Sequence, residues 1–229
     1  MTPATDELLT LKLIHKFQDR IQDLRLGRFT MIEDAAAEAL PQHFRSETFK
    51  DGKIHPVFSP LFLQGLVSLS DIAALGLSKH RGYLLLSGLT TLSDRAAKML
   101  SRHRGTLRLD GLKNLTESSA KSLSKVKGYL GLSGLTKLSE EGAGAISRHQ
   151  GVLNLSGLAA ISLSIAETLS RHCGNLHLYG LNSMSDEVAD AFTLFEGELY
   201  LKSSILLSDV AVKALKKRGR VFGPVQVVL

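Results

Sequence analysis

The sequence predicts an α/β fold: a right-handed solenoid with a parallel sheet on one side and short helices on the other. Three observations predict it. A block of 23 residues recurs along most of the 229-residue chain. Each block opens with leucines at alternate positions, the pattern of a half-buried strand. Each then carries a hydroxyl residue, an acid and a stripe of small residues, the start of a short helix. One strand plus one helix of about two turns cannot bury its own apolar face, so the units must stack. Consecutive strands joined through a helix should lie parallel and wind right-handed.

Residues 1–21 precede the repeats. Leu8, Leu9, Leu13, Ile14, Phe17 and Ile21 fall on one face at helical spacing, after Thr5-Asp6-Glu7 as a start signal. The expectation is a helix that caps the open end of the first coil; docking onto a partner is the other reading. The first and most divergent copy begins at Gln22, with Leu24, Leu26, Phe29, Ile32, Ala37, Leu40 and His43 on the marked positions. Residues 45–58 interrupt the period as an insertion, with Asp51-Gly52 as a turn signal for an added loop. Full copies then start at Ser59, Gly82, Gly105, Gly128, Gly151, Gly174 and Gly197. The repeats run over 22–219, and 220–229 reads as an edge strand guarded by Pro224, all one continuous domain.

Within a copy, positions 3 and 5 are strand leucines such as Leu84 and Leu86. Position 7 is Gly in six copies, as at Gly88 and Gly111, expected to serve a bend with unusual dihedrals. Position 12 is Ser or Thr in seven copies, from Ser70 to Ser208, where a hydroxyl can cap a helix. An acid usually follows, favoured by the helix dipole. Small residues at 15 and 16, with Leu at 19, make the buried stripe, and a cation recurs at 21. The Gly opening the next copy is the expected left-handed helix stop.

These residues resemble a known family. The pattern L-x-L-x-G-L-x-x-L-S-x-x-A-A-x-x-L is similar to a short bacterial variant of the leucine-rich repeat, over residues 22 to about 219. It departs from the common pattern at the slot that usually holds Asn or Cys, filled here by Leu66, Leu89, Leu112, Leu135, Leu158 and Leu181. The resemblance implies a protein that binds other proteins rather than one that does chemistry.

Composition narrows the function classes. The chain is 44% apolar, with no Trp and a net charge of +6, which favours anionic partners only weakly. Cys173 is the single cysteine, so no intrachain disulfide forms, and a reducing, cytoplasmic setting is expected. The N-terminus lacks a basic start, and Lys12 and His15 interrupt its apolar run, unlike a secretory signal. No stretch approaches the apolar length that spans a bilayer. Phosphate loops, zinc-protease helices and paired-cysteine metal motifs are absent from the sequence, so no catalytic residue, cofactor or metal is expected. A monomer is the expectation.

Two ladders invite chemistry. His43, His80, His103, His149 and His172 share position 22, yet Val126 and Phe195 fill the same slot, which points to packed rings rather than metal ligands. Lys79, Arg102, Lys125, Arg148, Arg171 and Lys217 share position 21, flanked by Arg81, Arg104 and Lys127. Such a row could track the phosphates of a nucleic acid or another polyanion, but cations also belong at helix C-termini for the dipole alone, and Leu194 and Glu196 interrupt the row.

The outward strand positions 2, 4 and 6 say more, because the fold does not fix them. All four tyrosines of the chain lie there: Tyr83, Tyr129, Tyr179 and Tyr200. Tyrosine anchors interfaces, although it also favours strands for itself. The expected protein-binding residues are Tyr83, Arg108, Tyr129, Asn154, Asn175, His177, Tyr179, Tyr200 and Lys202, densest toward the C-terminus. An enzyme would need a site assembled from scattered polar groups, with His177 and Glu198 the nearest pair.

Overall fold

The structure is a computed structural model that describes residues 8–17, 25–50, 53–218, 221–222 and 226–227. In chain order its elements are β1 (Leu8–Leu9), α1 (Leu11–Lys16), β2 (Met31–Ile32), α2 (Asp34–His43), β3 (Arg45–Lys50), β4 (Lys53–Phe58), β5 (Leu61–Phe62) and α3 (Asp71–Leu77). Then follow β6 (Tyr83–Leu85), α4 (Asp94–Leu100), β7 (Thr106–Arg108), α5 (Glu117–Leu123), β8 (Leu130–Gly131), α6 (Glu140–Ile146), β9 (Leu153–Asn154) and α7 (Leu163–Leu169). The last are β10 (Leu176–Leu178), α8 (Asp186–Ala191), β11 (Leu199–Leu201), β12 (Leu206–Leu207), α9 (Asp209–Arg218), β13 (Val221–Phe222) and β14 (Gln226–Val227).

Strands and helices thus alternate, and eight strands pair in one sheet in the order β13-β11-β10-β9-β8-β7-β6-β5. Every pairing in it is parallel. The register is the repeat itself. Leu61 pairs Leu84, then Leu107, Leu130, Leu153, Leu176 and Leu199, each 23 residues on. Because side chains alternate along a strand, this keeps every position-3 and position-5 leucine on the buried face. Leu84, Leu86, Leu107 and Leu109 are fully buried, as are the position-8 leucines and the alanines of the helix stripe.

Local chemistry starts and stops each helix. Ser70, Ser93, Thr116, Ser139, Ser162, Ser185 and Ser208 each accept the backbone N–H three residues on. The acid that follows does more than meet the dipole. Where it is Asp and another coil follows, its carboxylate accepts the cap hydroxyl of that coil: Asp34 from Ser70, Asp71 from Ser93 at 2.7 Å, Asp94 from Thr116 at 2.5 Å, Asp186 from Ser208. At the other end, the hydroxyls of Ser78, Ser101, Ser124, Ser147, Ser170 and Thr193 donate to the carbonyl three residues back. These repeated hydroxyls, not a left-handed residue, close the last turn; the cap serines themselves are right-handed.

The glycines therefore need another reason. Gly128, at φ 111°, is the one described glycine with positive φ. Elsewhere the requirement is room. A Cβ on Gly151 would stand 1.8 Å from the Gly128 carbonyl oxygen, and one on Gly111 would stand 2.2 Å from the Ser87 oxygen. Coils approach through their backbones at positions 1 and 7, and any side chain would hold them apart.

The N-terminal region departs from expectation. Leu8 and Leu9 are not helical; they form β1, parallel to β2. The helix starts only after Thr10, whose hydroxyl accepts from the Leu13 N–H, while Glu33 accepts the Leu11 N–H. Leu9 and Ile14 are fully buried. Thr5-Asp6-Glu7 and Ile21 lie outside the described residues. Among the described residues no strand of the first coil joins the main sheet; Leu26–Arg28 is a 3₁₀ turn, and Leu24 lies outside the described residues. The coil still stacks, since a Cβ on Gly65 would meet the Gly27 oxygen at 2.2 Å. The insertion is an antiparallel hairpin of β3 and β4, in register from Arg45 with Phe58 to Lys50 with Lys53, rather than an open loop. Asp51-Gly52 and Pro224 lie outside the described residues. β13 pairs β11, and β14 pairs β12.

Candidate functional site

The outward face of the sheet carries the densest aromatic group among the described residues. Parity along β10 and β11 turns His177 and Tyr200 away from the leucine core, and register sets them opposite each other. Their rings are 4.5 Å apart between centroids. Tyr179 meets His177 at 5.5 Å in an edge contact and Tyr200 at 6.2 Å. Tyr129, two strands away, reaches His177 at 6.3 Å with its ring turned 77°. Edge-to-face and tilted contacts suit the ring quadrupoles.

Polar neighbours fix these rings. The Tyr200 hydroxyl donates to Glu198 Oε2 at 2.8 Å. Asn175 Nδ2 donates to the same oxygen at 2.7 Å, and Asn175 Oδ1 accepts the Glu198 N–H at 3.1 Å. The bond to Glu198 holds the Tyr200 hydroxyl in its protonated form, above the usual range. Asn154 Nδ2 donates to the Tyr129 hydroxyl at 2.7 Å, and its Oδ1 accepts the Ser156 N–H. Burial among the rings lowers the pKa of His177, so it is neutral at pH 7. The Glu198 carboxylate is taken by Tyr200 and Asn175 and makes no hydrogen bond to His177, so the pair is not assembled as an acid–base couple.

The structure brings together Tyr129, Asn154, Asn175, His177, Tyr179 and Tyr200. Lys202 lies at the edge, its Nζ donating to Asn182 Oδ1 at 2.6 Å. Tyr83 and Arg108 lie outside the ring contacts, although Arg108 is within electrostatic reach of both Tyr83 and Tyr129. Tyr83 is 54% exposed and makes no ring contact among the described residues. Arg108 donates to Asp110 at 2.5 Å, and Asp110 also accepts the backbone and hydroxyl of Ser133. Glu198 is the central residue that the predicted set leaves out. Its outward parity was readable, but its role as shared acceptor depends on side-chain directions that no spacing encodes. Asn182 sits in a turn, where nothing in the repeat marks it.

The histidine ladder is a packing device at the corner where each helix leads into the next strand. His80, His103, His149 and His172 are buried. His80 stacks on His103 at 6.2 Å, His149 on His172 at 6.0 Å, and His172 on Phe195 at 6.3 Å in the same geometry. Burial lowers the pKa of all four. Nε2 of His149 and His172 contacts the carbonyls of Gly128 and Gly151. Among the described residues no group of three or more His, Cys, Asp or Glu is placed to hold a metal. Cys173 is exposed and free. Among the described residues no helix is long and apolar enough to cross a membrane.

No protein-family model matches the chain, and no curated protein sequence matches it. The fold and the site therefore define the class on their own: an α/β repeat architecture with a parallel sheet and a cluster of aromatic rings on its outward face.

Proposed function

We propose that this chain is a non-enzymatic binding module, a solenoid of the leucine-rich-repeat type that docks a protein partner on the outward face of its sheet. It acts as a monomer, and its lone exposed thiol suits a reducing, cytoplasmic setting. The observation that carries the reading is the contact of His177, Tyr179 and Tyr200, part-exposed and braced by Asn175 and Glu198. Rings held in place before binding lose little entropy on docking, and an aromatic centre with a polar rim is the usual anatomy of a hot spot. The repeat core holds constant while this face changes from coil to coil, which suits recognition. The fixed register of 23 residues supports the solenoid reading.

The test is affinity capture from the native host with the intact chain and with Tyr179→Ala plus Tyr200→Ala, followed by titration of the captured protein. Loss of two such anchors should weaken binding by about a hundredfold, near 3 kcal/mol. A folded double variant that binds its partner undiminished would remove this face from consideration.

A further inference from the structure

The coils present a second surface, along the C-terminal ends of the helices. There, neighbouring coils leave grooves in equivalent places, which makes the repeat its own control. One groove, of about 820 Å³, is lined by Arg171 among the acids Glu167, Asp190 and Glu196. Another, of about 370 Å³, pairs Lys79 with Glu38 at 2.6 Å. The third, of about 530 Å³, is different. Lys121, Lys125, Lys127 and Arg148 line it, with Ser124 and Gln150, and no acid does.

The difference lies at defined repeat positions. Position 17 holds Glu38, Glu167 and Asp190 in the other grooves but Lys121 here. Position 23 holds Glu196 in one of them but Lys127 and Gln150 here. The helix dipole accounts for the position-21 cation that most coils share. It accounts also for Lys121 and Lys98, in the last turns of α5 and α4, but not for Lys127 or Arg104, which lie beyond the helix ends. Arg104 and Lys127 pair directly as a parallel bridge, so their like charges sit on adjacent backbones. None of the four lining cations makes an ion pair among the described residues. The Lys121 carbonyl accepts from the Ser124 hydroxyl at 3.0 Å, and the Leu123 carbonyl accepts from the Val126 N–H. Val126 is the floor, where an imidazole lines the groove around Arg171.

We propose that this groove binds a small anion carrying two or more phosphoryl groups. Four cations around one groove repel one another and are stabilised together by one multivalent anion. Lysine ammonium groups act as point charges suited to phosphate oxygens, and the Arg148 guanidinium adds a planar fork. None of the residues that line the groove belongs to the aromatic group, and the proposal stands independently of it.

Calorimetric titration with inorganic tripolyphosphate at about 50 mM salt tests this. The expected result is saturable one-to-one binding that falls with salt, weakened at least about tenfold in Lys125→Gln/Lys127→Gln/Arg148→Gln. Lys79→Gln/Arg81→Gln, in the groove that holds Glu38, should leave it unchanged. Should the triple variant fail to fold, Lys127→Gln alone should still weaken binding about threefold. No binding by the native chain at millimolar tripolyphosphate, or equal loss in both grooves, overturns the proposal. So does binding of a single-stranded oligonucleotide without binding of tripolyphosphate, which would make the surface a polymer track.

Discussion

Acid should loosen this protein through its histidine ladder, and His80 lets the size of the effect be worked out. Its ring is 1% exposed, lies edge-on to Phe58 and stacks on His103, and neither ring nitrogen has a hydrogen-bond partner among the described residues. Burial first, then the neighbouring His103, lowers its pKa from 6.5 to about 4, against a weaker opposing pull from the Tyr83 backbone. The group is a base whose folded pKa lies below its unfolded one, so the unfolded chain binds the extra proton. Stability is complete above pH 6.5, falls as pH drops toward 4, and levels below that. At pH 5 the unfolded imidazole is almost fully protonated and the folded one almost fully neutral. The difference is worth about 2 kcal/mol between pH 7 and pH 5, trimmed to about 1–2 by solvent screening at the coil edge. His80→Phe removes it, and the slot accepts such a ring, since Phe195 stacks on His172 as His149 does. Urea unfolding followed by circular dichroism at the two pH values measures it. The variant should match or exceed the native stability at pH 7 and lose about 1–2 kcal/mol less on going to pH 5. Equal losses in both proteins would refute the reasoning.

Two further predictions follow from the contacts between coils. Gly151→Ala forces a methyl against the Gly128 carbonyl and should cost about 3 kcal/mol or more, whereas Gly144→Ala, with nothing within 4 Å of the new atom and inside α6, should stabilise by about 0.5–1 kcal/mol; urea midpoints moving the same way would contradict the close-approach argument. Ser93→Ala removes both a helix cap and the bond to Asp71 and should cost about 2 kcal/mol, while Ser162→Ala removes the cap alone and should cost about 1, a gap readable by thermal unfolding.

The repeat made most of the fold legible, because each leucine, cap serine and small residue was confirmed by its counterparts 23 residues away. Gly151 is required for a reason that its sequence position does not reveal. A glycine at a helix end reads as a left-handed stop, but contact with the Gly128 backbone is a property of two coils, and no single copy displays it. The partnership of Asp71 with Ser93 was hidden likewise, since the dipole alone explains an acid after a cap. The N-terminal segment was misread where no counterpart existed to check it. Leu8 and Leu9 fit a helical stripe, yet pairing with Met31 and Ile32 satisfies their backbone as strand. For the site, strand parity placed the tyrosines on one face. It could not tell that Tyr83 makes no ring contact among the described residues while Tyr179 and Tyr200 converge on His177, because those distances depend on side-chain rotamers.

The central claim is that the outward face at β10 and β11 receives a protein partner. Amide hydrogen exchange on the complex with a captured partner tests it most directly, because it reports where the chain is covered without altering a residue. Slowed exchange should concentrate in 175–179 and 198–202, with the helix ends at 121–127 and 148–150 unchanged. Slowing confined to the helix ends or to α1, with residues 175–202 exchanging as in the free chain, would contradict the account.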